Sequence, residues 1–522
     1  MPETEYDRVP YKSNPYSATH PDQMAVLARV MGMASPNVDT CRYLELGCGA
    51  GGNLLPMAAM MPNAKFVGVD LAPTSIQHAT EVARDLGLTN VEFHAMSITD
   101  VDERFGKFDY IASHGVFSWV PAVVREAILR VCRENLVENG VAYVSYNCFP
   151  GWGLRGLVRE MMVYHVQDWS EPQEKTSQAR AILEFLATSS EGGEWGRLLK
   201  QEQERMAELS DWYIYHDNLS PINQAFWFHE FAALIEKAGM EYLADSMFGT
   251  MMLDNFPQTV KDVLTGLQGE LVRTEQYLDF IRCRYFRQSL IVHDGAPVNR
   301  RIEADRVTDL RFTTRALPTG PVDFTKGVVA TFKSPDGLEV TSDNPLVKAA
   351  LVEIFECRPD AIHFDDLLAR ARARSGDTAT DAAAIAKARL TLSSNLLSCF
   401  ATSVVIPHVW KAPAAIKVAQ MPKLFPYARY QAENGMQILT NLRHEGAKID
   451  TFERVVAIAC DGTRDRDAIV AFMMRAVDKE ELQVRSEDGP FKTPADLERE
   501  LGPAVDSAVV ILMRLGLLVE GD

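Results

Sequence analysis

The feature that most constrains the fold is a regular alternation of short β-rich runs and helical patterns between residues 41 and 147. Such alternation is typical of βαβ units, in which a helix connects two parallel strands. The chain therefore predicts an α/β, Rossmann-like domain with a mostly parallel sheet. The predicted strands are Cys41–Leu46, Lys65–Asp70, Val91–Ala95, Phe108–Ser113 and Val141–Asn147. The predicted helices between them are Asn53–Met61, Pro73–Leu86 and Val123–Val137.

Further regions precede and follow this core, which we place at residues 41–150. Residues 1–40 are predicted to form an N-terminal lid or cap. Residues 151–222 carry successive helical patterns that no simple βα unit requires, so we interpret them as a helical insertion. Residues 223–300 contain two more β-rich runs, Glu241–Phe248 and Ser289–His293, that would complete the sheet.

The second half of the chain changes character. Within a predicted linker over 301–345, the run Ser334-Pro335-Asp336-Gly337 indicates a hairpin turn. Residues 346–522 are mostly helical with short β-rich tails, which predicts a winged-helix-like C-terminal region. This region divides into two modules, 346–411 and 427–522, on either side of a proline-containing stretch.

A glycine-rich turn, Gly47-Cys48-Gly49-Ala50-Gly51-Gly52, joins the first strand to the first helix. Its spacing also satisfies the dinucleotide-binding pattern, so a nicotinamide or flavin site has to be considered. Glu45 argues against that reading, because a carboxylate two residues before the first glycine would repel a pyrophosphate. The same carboxylate would attract a ligand that carries an ammonium and a sulfonium. S-adenosylmethionine fits this description.

Two further strand ends support a nucleoside ligand. Asp70 ends the second strand, where a carboxylate can accept hydrogen bonds from both ribose hydroxyls. At the end of the third strand, Met96, Ser97 and Ile98 would place apolar atoms beside an adenine and polar groups at its edge. The alternatives are that Glu45 is a salt-bridge or capping residue, that Asp70 only begins a helix, and that Met96 and Ile98 are ordinary core residues.

With these motifs in place, residues 41–148 resemble a class I S-adenosylmethionine-dependent methyltransferase. The resemblance is closer still to bacterial proteins with a methyltransferase regulatory domain, which include the rickettsial protein-lysine methyltransferases. The stretches that carry it are Tyr11-Lys12-Ser13-Asn14-Pro15-Tyr16, Thr19-His20-Pro21, His114-Gly115-Val116-Phe117-Ser118-Trp119-Val120-Pro121, Ser145-Tyr146-Asn147-Cys148-Phe149-Pro150-Gly151-Trp152, Glu275-Gln276-Tyr277-Leu278-Asp279-Phe280 and Phe286-Arg287-Gln288.

The resemblance implies a seven-stranded sheet, S-adenosylmethionine as cofactor, a regulatory segment over 223–300 and, by analogy, a homodimer. One position departs from the family pattern, because Ser97 stands where an acidic residue usually binds the adenine amino group, with Asp100 three residues later. The cofactor contacts that we predict are Tyr11, Tyr16, Glu45, Gly47, Cys48, Gly49, Asn53, Asp70, Leu71, Met96, Ser97, Ile98 and His114.

Candidate groups for the transfer step follow the fourth and fifth strands, whose ends meet where cofactors bind in open α/β sheets. Aromatic rings suit a site that receives a cation and strips its water. We therefore interpret Tyr146 and Trp119 as walls of an amine channel, with core anchoring of Trp119 and Trp152 as the alternative. Asn147 is either a site residue or a turn residue. The predicted catalytic set is His114, Trp119, Tyr146, Asn147 and Trp152.

The amino-acid composition limits the kinds of partner and compartment that we expect for the chain. With 53 Lys and Arg against 71 Asp and Glu, the net charge of −18 does not favour a general DNA-binding surface. The apolar runs are too short to span a membrane, and residues 1–10 lack the apolar core of a secretory signal, so we expect a cytoplasmic protein. The eight cysteines are scattered and predicted to be reduced core residues. His216 and His229 lack a compact metal spacing, and we predict no metal.

The sequence thus predicts an S-adenosylmethionine-dependent methyltransferase, most consistent with one that acts on lysine side chains of a protein substrate. Two alternatives remain open at this stage. A small-molecule N- or O-methyltransferase would enclose an apolar pocket beside the methyl group. A non-catalytic S-adenosylmethionine-binding regulatory or scaffold protein would bind the cofactor and present its C-terminal region to a partner.

Overall fold

The fold is known from a computed structural model that describes residues 8–9, 11, 13–190, 192–253, 256–267, 269–480, 482–483 and 494–521. Within this part of the chain, a seven-stranded sheet is flanked by helices and followed by two smaller helical regions with short strands. The class I methyltransferase fold that the sequence predicts is therefore confirmed.

The main sheet has the strand order β3-β2-β1-β4-β5-β7-β6. Strands β1 to β5 are parallel where they pair, and β7 runs antiparallel to both β5 and β6. In the chain β7 follows β6, and it returns antiparallel between β6 and β5. The strands are β1 Arg42–Leu46, β2 Lys65–Asp70, β3 Val91–Ala95, β4 Phe108–Ser113, β5 Leu136–Asn147, β6 Met240–Asp245 and β7 Phe286–His293.

Helices cover both faces of this sheet, and the strand residues alternate between the two resulting cores. Leu44 and Leu46 of β1 join one apolar cluster, whereas Tyr43 joins the other. The helices that precede or follow the strands are Pro21–Val30, Leu54–Met60, Pro73–Asp85, Ala122–Asn135 and Phe228–Lys237. Pro21 and Pro73 both begin helices, as proline commonly does in a first turn.

The insertion forms a layer of its own. Its main helices are Gly151–His165, Pro172–Ser189 and Gly193–Glu208, followed by a π-helical turn at Ile214–Asn218. They share a separate apolar cluster that includes Val158, Met162, Leu183 and Leu199. Because this cluster is distinct from the two cores of the sheet, the insertion stands beside the sheet and contributes side chains at its edge.

A buried ion cluster closes the sheet at β7. The Arg287 side chain is completely buried, and its guanidinium donates to both oxygens of Asp279, at 2.8 and 2.9 Å, and to Glu275 at 2.9 Å. Arg284 lies 2.8 Å from the Asp245 carboxylate at the end of β6. The motif pair around Glu275–Phe280 and Phe286–Gln288 therefore has a structural role: it ties the helix Leu271–Arg282 to two strands.

The predicted linker also contributes to a sheet. Strand β8, Arg311–Thr314, is the central strand of a three-stranded antiparallel sheet with β12, Ile362–His363, and β13, Val405–His408. The sequence analysis did not predict β8, because four residues with one large apolar side chain, Phe312, give little alternation. A second small sheet comprises β9 Leu317–Pro318, β10 Ala330–Lys333 and β11 Glu339–Ser342, with the Ser334–Gly337 turn between its last two strands.

Two helical groups follow these small sheets. The first contains Pro345–Glu356, Phe364–Arg374 and Ala382–Ala401. The second contains Pro426–Glu433, the hairpin strands β14 Ile438–Thr440 and β15 Gly446–Lys448, and the helices Thr451–Ala459, Arg466–Asp478 and Pro494–Arg514. Of the predicted last helix, Thr493 lies outside the described residues.

The C-terminal region is joined to the N-terminal helix by a buried carboxylate. Asp22 accepts hydrogen bonds from the backbone amides of Val409 at 2.6 Å and Trp410 at 2.8 Å, and its other oxygen lies 2.7 Å from His408 Nδ1. The helix Pro426–Glu433 also packs against Leu54–Met60, the helix after the glycine-rich turn. The last third of the chain therefore contacts the segment that we predict to bind the cofactor.

Among the described residues, no helix has both the length and the apolar character that crossing a membrane requires. All eight cysteines are free, as predicted, but not all belong to the core. Cys283 is exposed, since it ends a helix in a left-handed conformation with a φ of 47°, and Cys357 is half-buried.

Candidate functional site

The site begins at the end of β1 with a buried carboxylate. Glu45 is 3% exposed, and its Oε1 accepts a hydrogen bond from Asn53 Nδ2 at 2.9 Å. Its Oε2 is buried and has no hydrogen-bond partner among the described residues. Burial, together with the nearby charge of Asp70, raises the pKa of Glu45 to about 8. A carboxyl in this state would be stabilised in its ionised form by a cation placed at Oε2.

Asp70, at the end of β2, fixes the glycine-rich turn. Its Oδ2 accepts from the amide of Gly49 at 2.8 Å, and its Oδ1 accepts from the amide of Ala72 at 2.9 Å. Gly47 adopts a φ of 83°, which favours glycine, and its amide donates to the carbonyl of Val69 at 2.8 Å. These bonds place the two predicted acids, Glu45 and Asp70, at neighbouring strand ends.

The N-terminal segment lies directly on the glycine-rich turn. Ser13 Oγ accepts from the amide of Gly52 at 2.9 Å, and the amide of Tyr16 donates to Asn53 Oδ1 at 3.0 Å. A Cβ atom at Gly52 would lie 2.4 Å from the carbonyl oxygen of Ser13. Gly52 is therefore required by a contact within the chain.

At the end of β3, the residues predicted to contact adenine already have partners within the chain. The amide of Met96 donates to the carbonyl of Asp70 at 2.9 Å. Ser97 Oγ lies 2.7 Å from Thr99 Oγ1 and accepts from the Thr99 amide, so it caps the turn that follows. Ile98 is buried in the core. Asp100, by contrast, is exposed.

Two other predicted contacts lie near the same edge. Leu71 follows Asp70 with half of its surface exposed, so its side chain is available to a ligand. The Cys48 side chain is buried and faces β2, because a Cβ at Gly68 would lie 2.8 Å from its sulfur. Only the backbone of Cys48 can therefore contribute to a binding site.

His114 follows β4 and stacks against Tyr16, with 3.8 Å between ring centroids. Its Nδ1 lies 2.8 Å from the hydroxyl of Tyr143, and that hydroxyl donates to Gln288 Oε1 at 2.9 Å. Since the hydroxyl proton is used on Gln288, Nδ1 of His114 carries a proton and Nε2 is an acceptor. Burial lowers the pKa of His114 to about 4, which keeps the ring neutral.

The residues after β5 do not form the predicted amine channel. Tyr146 is 1% exposed, its ring stacks on Phe231 at 4.1 Å, and its hydroxyl lies 3.3 Å from Ser289 Oγ. Successive residues of a strand face opposite sides of the sheet, so Tyr146 points away from the side on which Tyr143 meets His114. The channel interpretation of Tyr146 was wrong, and its core role follows from this alternation.

Among the other predicted transfer residues, Trp119 and Trp152 pack against each other, whereas Asn147 has a polar group that a ligand can use. Trp119 and Trp152 pack edge to face with 6.0 Å between centroids, which matches the anchoring alternative. The backbone amide of Asn147 donates to Ser118 Oγ at 2.8 Å. Its side-chain Nδ2 is buried without a hydrogen-bond partner among the described residues, so Asn147 still offers a donor.

The sequence analysis missed an aromatic and acidic group from the insertion. Tyr11 packs edge to face on Trp212 at 4.8 Å, and it lies 5.6 Å from His216. Asp217 Oδ2 is buried with no partner among the described residues, and burial raises the pKa of Asp217 to about 7. Burial, and next the charge of Asp217, raises the pKa of Tyr16 to about 12. Asp217 therefore lies within electrostatic reach of the ring that covers His114.

One sequence signal could have found this group. The run Trp212-Tyr213-Ile214-Tyr215-His216-Asp217 is unusually aromatic for an insertion, but the sequence analysis considered only the metal spacing of its histidine. The prediction that the chain holds no metal also concerned His216. Among the described residues, no three His, Cys, Asp or Glu side chains are grouped so that they could hold a metal ion.

Comparisons with known proteins agree with this geometry. Three family models match the chain: a methyltransferase domain over residues 37–204, a predicted methyltransferase regulatory domain over 210–293, and a PKMT C-terminal winged helix domain over 420–517. An uncharacterized protein of Rickettsia prowazekii, RP789, is 36% identical over 95% of this chain and 90% of its own length. This chain belongs to the class I methyltransferases that carry a methyltransferase regulatory domain.

Two further relatives extend the comparison. A second uncharacterized R. prowazekii protein, RP028, is 37% identical over 45% of this chain and 93% of its own length. The structure of PKMT2 from Rickettsia typhi in complex with AdoHcy matches with a TM-score of 0.87 and 29% identity, covering 98% of this chain and all of the other. The family resemblance is thereby confirmed, and so is a winged-helix domain in the C-terminal region, over residues 420–517.

S-adenosylmethionine is the cofactor of this methyltransferase, and the residues present fit it. Oε2 of Glu45, which has no hydrogen-bond partner in the described part of the chain, suits an ammonium. Asp70 lies at the strand end expected for a ribose, and Leu71 exposes an apolar surface next to it. When bound, the cofactor supplies a methyl group that its sulfonium makes electrophilic. The chain has to position that group and exclude water.

Proposed function

We propose that this methyltransferase transfers methyl groups to lysine side chains of a protein substrate. The observation that carries the proposal is the similarity to R. typhi PKMT2 over the whole length of both chains, since PKMT denotes a protein-lysine methyltransferase. The match includes the insertion and the C-terminal region as well as the cofactor domain. Shared accessory regions of this size favour a shared class of substrate.

The side chains around Tyr16 support an amine substrate. Tyr16, Tyr213 and Asp217 are electrostatically coupled, and burial followed by the charge of Asp217 raises the pKa of both tyrosines. Aromatic faces and a carboxylate together attract an ammonium group and the alkyl chain that bears it. A lysine side chain has both parts.

A lysine amine must also lose its proton before it can attack, because its ordinary pKa is about 10.4. His114 is a weak candidate for this step, since burial lowers its pKa to about 4. Asp217 is better matched, because burial raises its pKa to about 7 and its Oδ2 has no other partner among the described residues. We therefore assign Asp217 the role of receiving the substrate proton, directly or through water.

The test of the proposed function is to incubate the purified protein with methyl-labelled S-adenosylmethionine and a bacterial extract, and then to separate macromolecules from metabolites. We expect label in protein, recovered as methyllysine after acid hydrolysis and absent with Glu45→Gln. Label in the metabolite fraction would instead support a small-molecule methyltransferase. Cofactor binding without any labelled product would support a non-catalytic protein.

The role of Asp217 has a separate test once a substrate is in hand. Asp217→Asn should lower kcat by about a hundredfold or more, as loss of a general base does, without changing the affinity for AdoHcy. Asp168→Asn, at an exposed position of the same insertion, is the matched control and should leave kcat unchanged. Equal kcat values for the two variants would exclude Asp217 from the transfer step.

A further inference from the structure

A histidine from the C-terminal region enters the cofactor site. His444 lies in the turn between β14 and β15, completely buried, with a left-handed φ of 60°. Its Nε2 lies 2.7 Å from Asn53 Oδ1, a contact between residues 391 positions apart in the chain. Asn53 is the residue whose amide group holds Glu45.

The hydrogen-bond pattern fixes the orientation of every group in this chain of contacts. The backbone amide of Tyr16 can only donate, and it points at Asn53 Oδ1 at 3.0 Å, so that atom is the oxygen. Asn53 Nδ2 is then the donor to Glu45 Oε1 at 2.9 Å. His444 Nε2 must carry a proton, because its partner is an acceptor.

The neutral state of His444 agrees with this assignment. Burial, with a smaller contribution from His20, holds the pKa of His444 well below its usual range. Its Nδ1 is the unprotonated nitrogen, and it has no hydrogen-bond partner among the described residues. His444 therefore acts as a donor of one hydrogen bond, and that bond goes to Asn53.

The turn that carries His444 is held by hydrogen bonds within the C-terminal winged-helix domain. Asn441 Oδ1 accepts from the amides of Arg443 at 2.9 Å and Glu445 at 3.0 Å. Asn441 Nδ2 donates to the carbonyl of Leu515, just after the last helix, at 3.0 Å. A rigid turn can hold the imidazole in one place, as a supporting hydrogen bond to a binding residue requires.

We propose that His444 is a positioning residue for the cofactor: it locks Asn53 so that Glu45 presents its second oxygen to the ammonium of S-adenosylmethionine. Without His444, Asn53 Oδ1 keeps its bonds to the N-terminal segment but loses the constraint from the opposite side. The Asn53 amide is then held only by Tyr16 and Thr19 on one side, so it can tilt, and its hydrogen bond to Glu45 Oε1 weakens. The C-terminal winged-helix module is thereby part of the cofactor site, and its docking and cofactor affinity are coupled.

The test compares two ligands by calorimetry on the full chain. AdoHcy carries the ammonium, whereas 5′-methylthioadenosine has the same nucleoside and thioether but no amino acid portion. In His444→Asn the side chain is too short to reach Asn53, although asparagine tolerates the left-handed backbone. We expect AdoHcy to bind about tenfold to a hundredfold more weakly, with binding of methylthioadenosine unchanged within twofold.

His444→Gln is the matched variant, because its amide nitrogen can reach the position of Nε2. It should restore AdoHcy affinity to within a few-fold of the wild type. Unchanged AdoHcy affinity in His444→Asn would overturn the proposal, as would an equal loss for both ligands, which would indicate a general structural role.

A measurement on the unmodified protein avoids any difficulty with folding of the variants. Nitrogen-15 resonances of the histidine rings report which nitrogen carries the proton. For His444, assigned by its disappearance in His444→Gln, we expect the neutral form protonated at Nε2 with a slowly exchanging proton. Protonation at Nδ1 would contradict the assignment.

Discussion

Two buried carboxylates of this molecule, Asp279 and Glu45, differ in the partners that the chain provides for them. Asp279, in the helix before β7, has both oxygens bonded to the guanidinium of Arg287. Glu45, at the end of β1, has one oxygen bonded to the neutral amide of Asn53 and the other bonded to nothing among the described residues. The first arrangement is complete within the chain, and the second requires an added cation.

The difference separates a structural motif from a binding motif. A buried charge is costly unless it is paired. The cluster around Arg287 pairs its charges and so joins a helix to two strands. Burial raises the pKa of Asp279 as well, but there the charge of Arg287 opposes the shift. Burial raises the pKa of Glu45 to about 8, and no arginine of the described residues opposes it, which leaves Glu45 ready to ionise when a cation arrives. Residue type and burial alone do not distinguish the two sites; the hydrogen-bond partners do.

The largest effect is expected from breaking the ion cluster around Arg287. Arg287→Met leaves Asp279 and Glu275 buried without their main partner, so the free energy of unfolding should fall by about 3–5 kcal/mol. Urea denaturation measures this change. Arg301→Met, at a side chain that is 85% exposed, is the control and should change stability by less than about 0.5 kcal/mol. A loss below about 1 kcal/mol in Arg287→Met would mean that the cluster does not stabilise the fold.

A smaller effect, on the affinity for AdoHcy, is expected when pH changes the ionisation of Glu45. Below pH 8, free Glu45 holds a proton that the ammonium of AdoHcy must displace. Affinity for AdoHcy should therefore rise about tenfold from pH 6 to pH 7 and less steeply above, with close to one proton released per ligand at pH 7. Calorimetry in buffers of different ionisation enthalpy measures that proton. Affinity that is flat over this range, or falls as pH rises, would show that Glu45 is already ionised.

The smallest effect is expected for Tyr146, which is buried in the core of the sheet. Tyr146→Phe removes a hydroxyl 3.3 Å from Ser289 but keeps the ring stacked on Phe231. Stability should change by about 1 kcal/mol or less, and AdoHcy affinity and turnover should stay within twofold. A large loss of turnover with unchanged stability would restore the amine channel.

Much of the sheet could be predicted from the sequence because its strands are short apolar runs between turn residues. The predicted bounds Lys65–Asp70, Val91–Ala95 and Phe108–Ser113 match the observed strands. Glu45 and Asp70 were found because strand ends have known positions in this fold. Strand alternation could also have excluded Tyr146 from the site, since Tyr143 and Tyr146 must face opposite sides.

Other features depend on contacts that no local pattern records. His444 reaches Asn53 across 391 positions, and its turn has no sequence signal for that contact. Gly52 belongs to the predicted glycine-rich turn, but it is required by Ser13 of a segment that folds back over the turn. Asp217 becomes a candidate site residue only because the folded insertion places its charge near Tyr16. Long-range packing, more than secondary structure, separates the predicted site from the observed one.

The most direct test of the account is the binding of AdoHcy and 5′-methylthioadenosine to Glu45→Gln. The substitution keeps the size of the side chain and removes the charge that the ammonium requires. We expect the affinity for AdoHcy to fall about tenfold to a hundredfold and its proton release to disappear, while methylthioadenosine binds as it does to the wild type. Unchanged binding of AdoHcy, or an equal loss for both ligands, would contradict the claim that Glu45 is the incomplete site for the cofactor's cation.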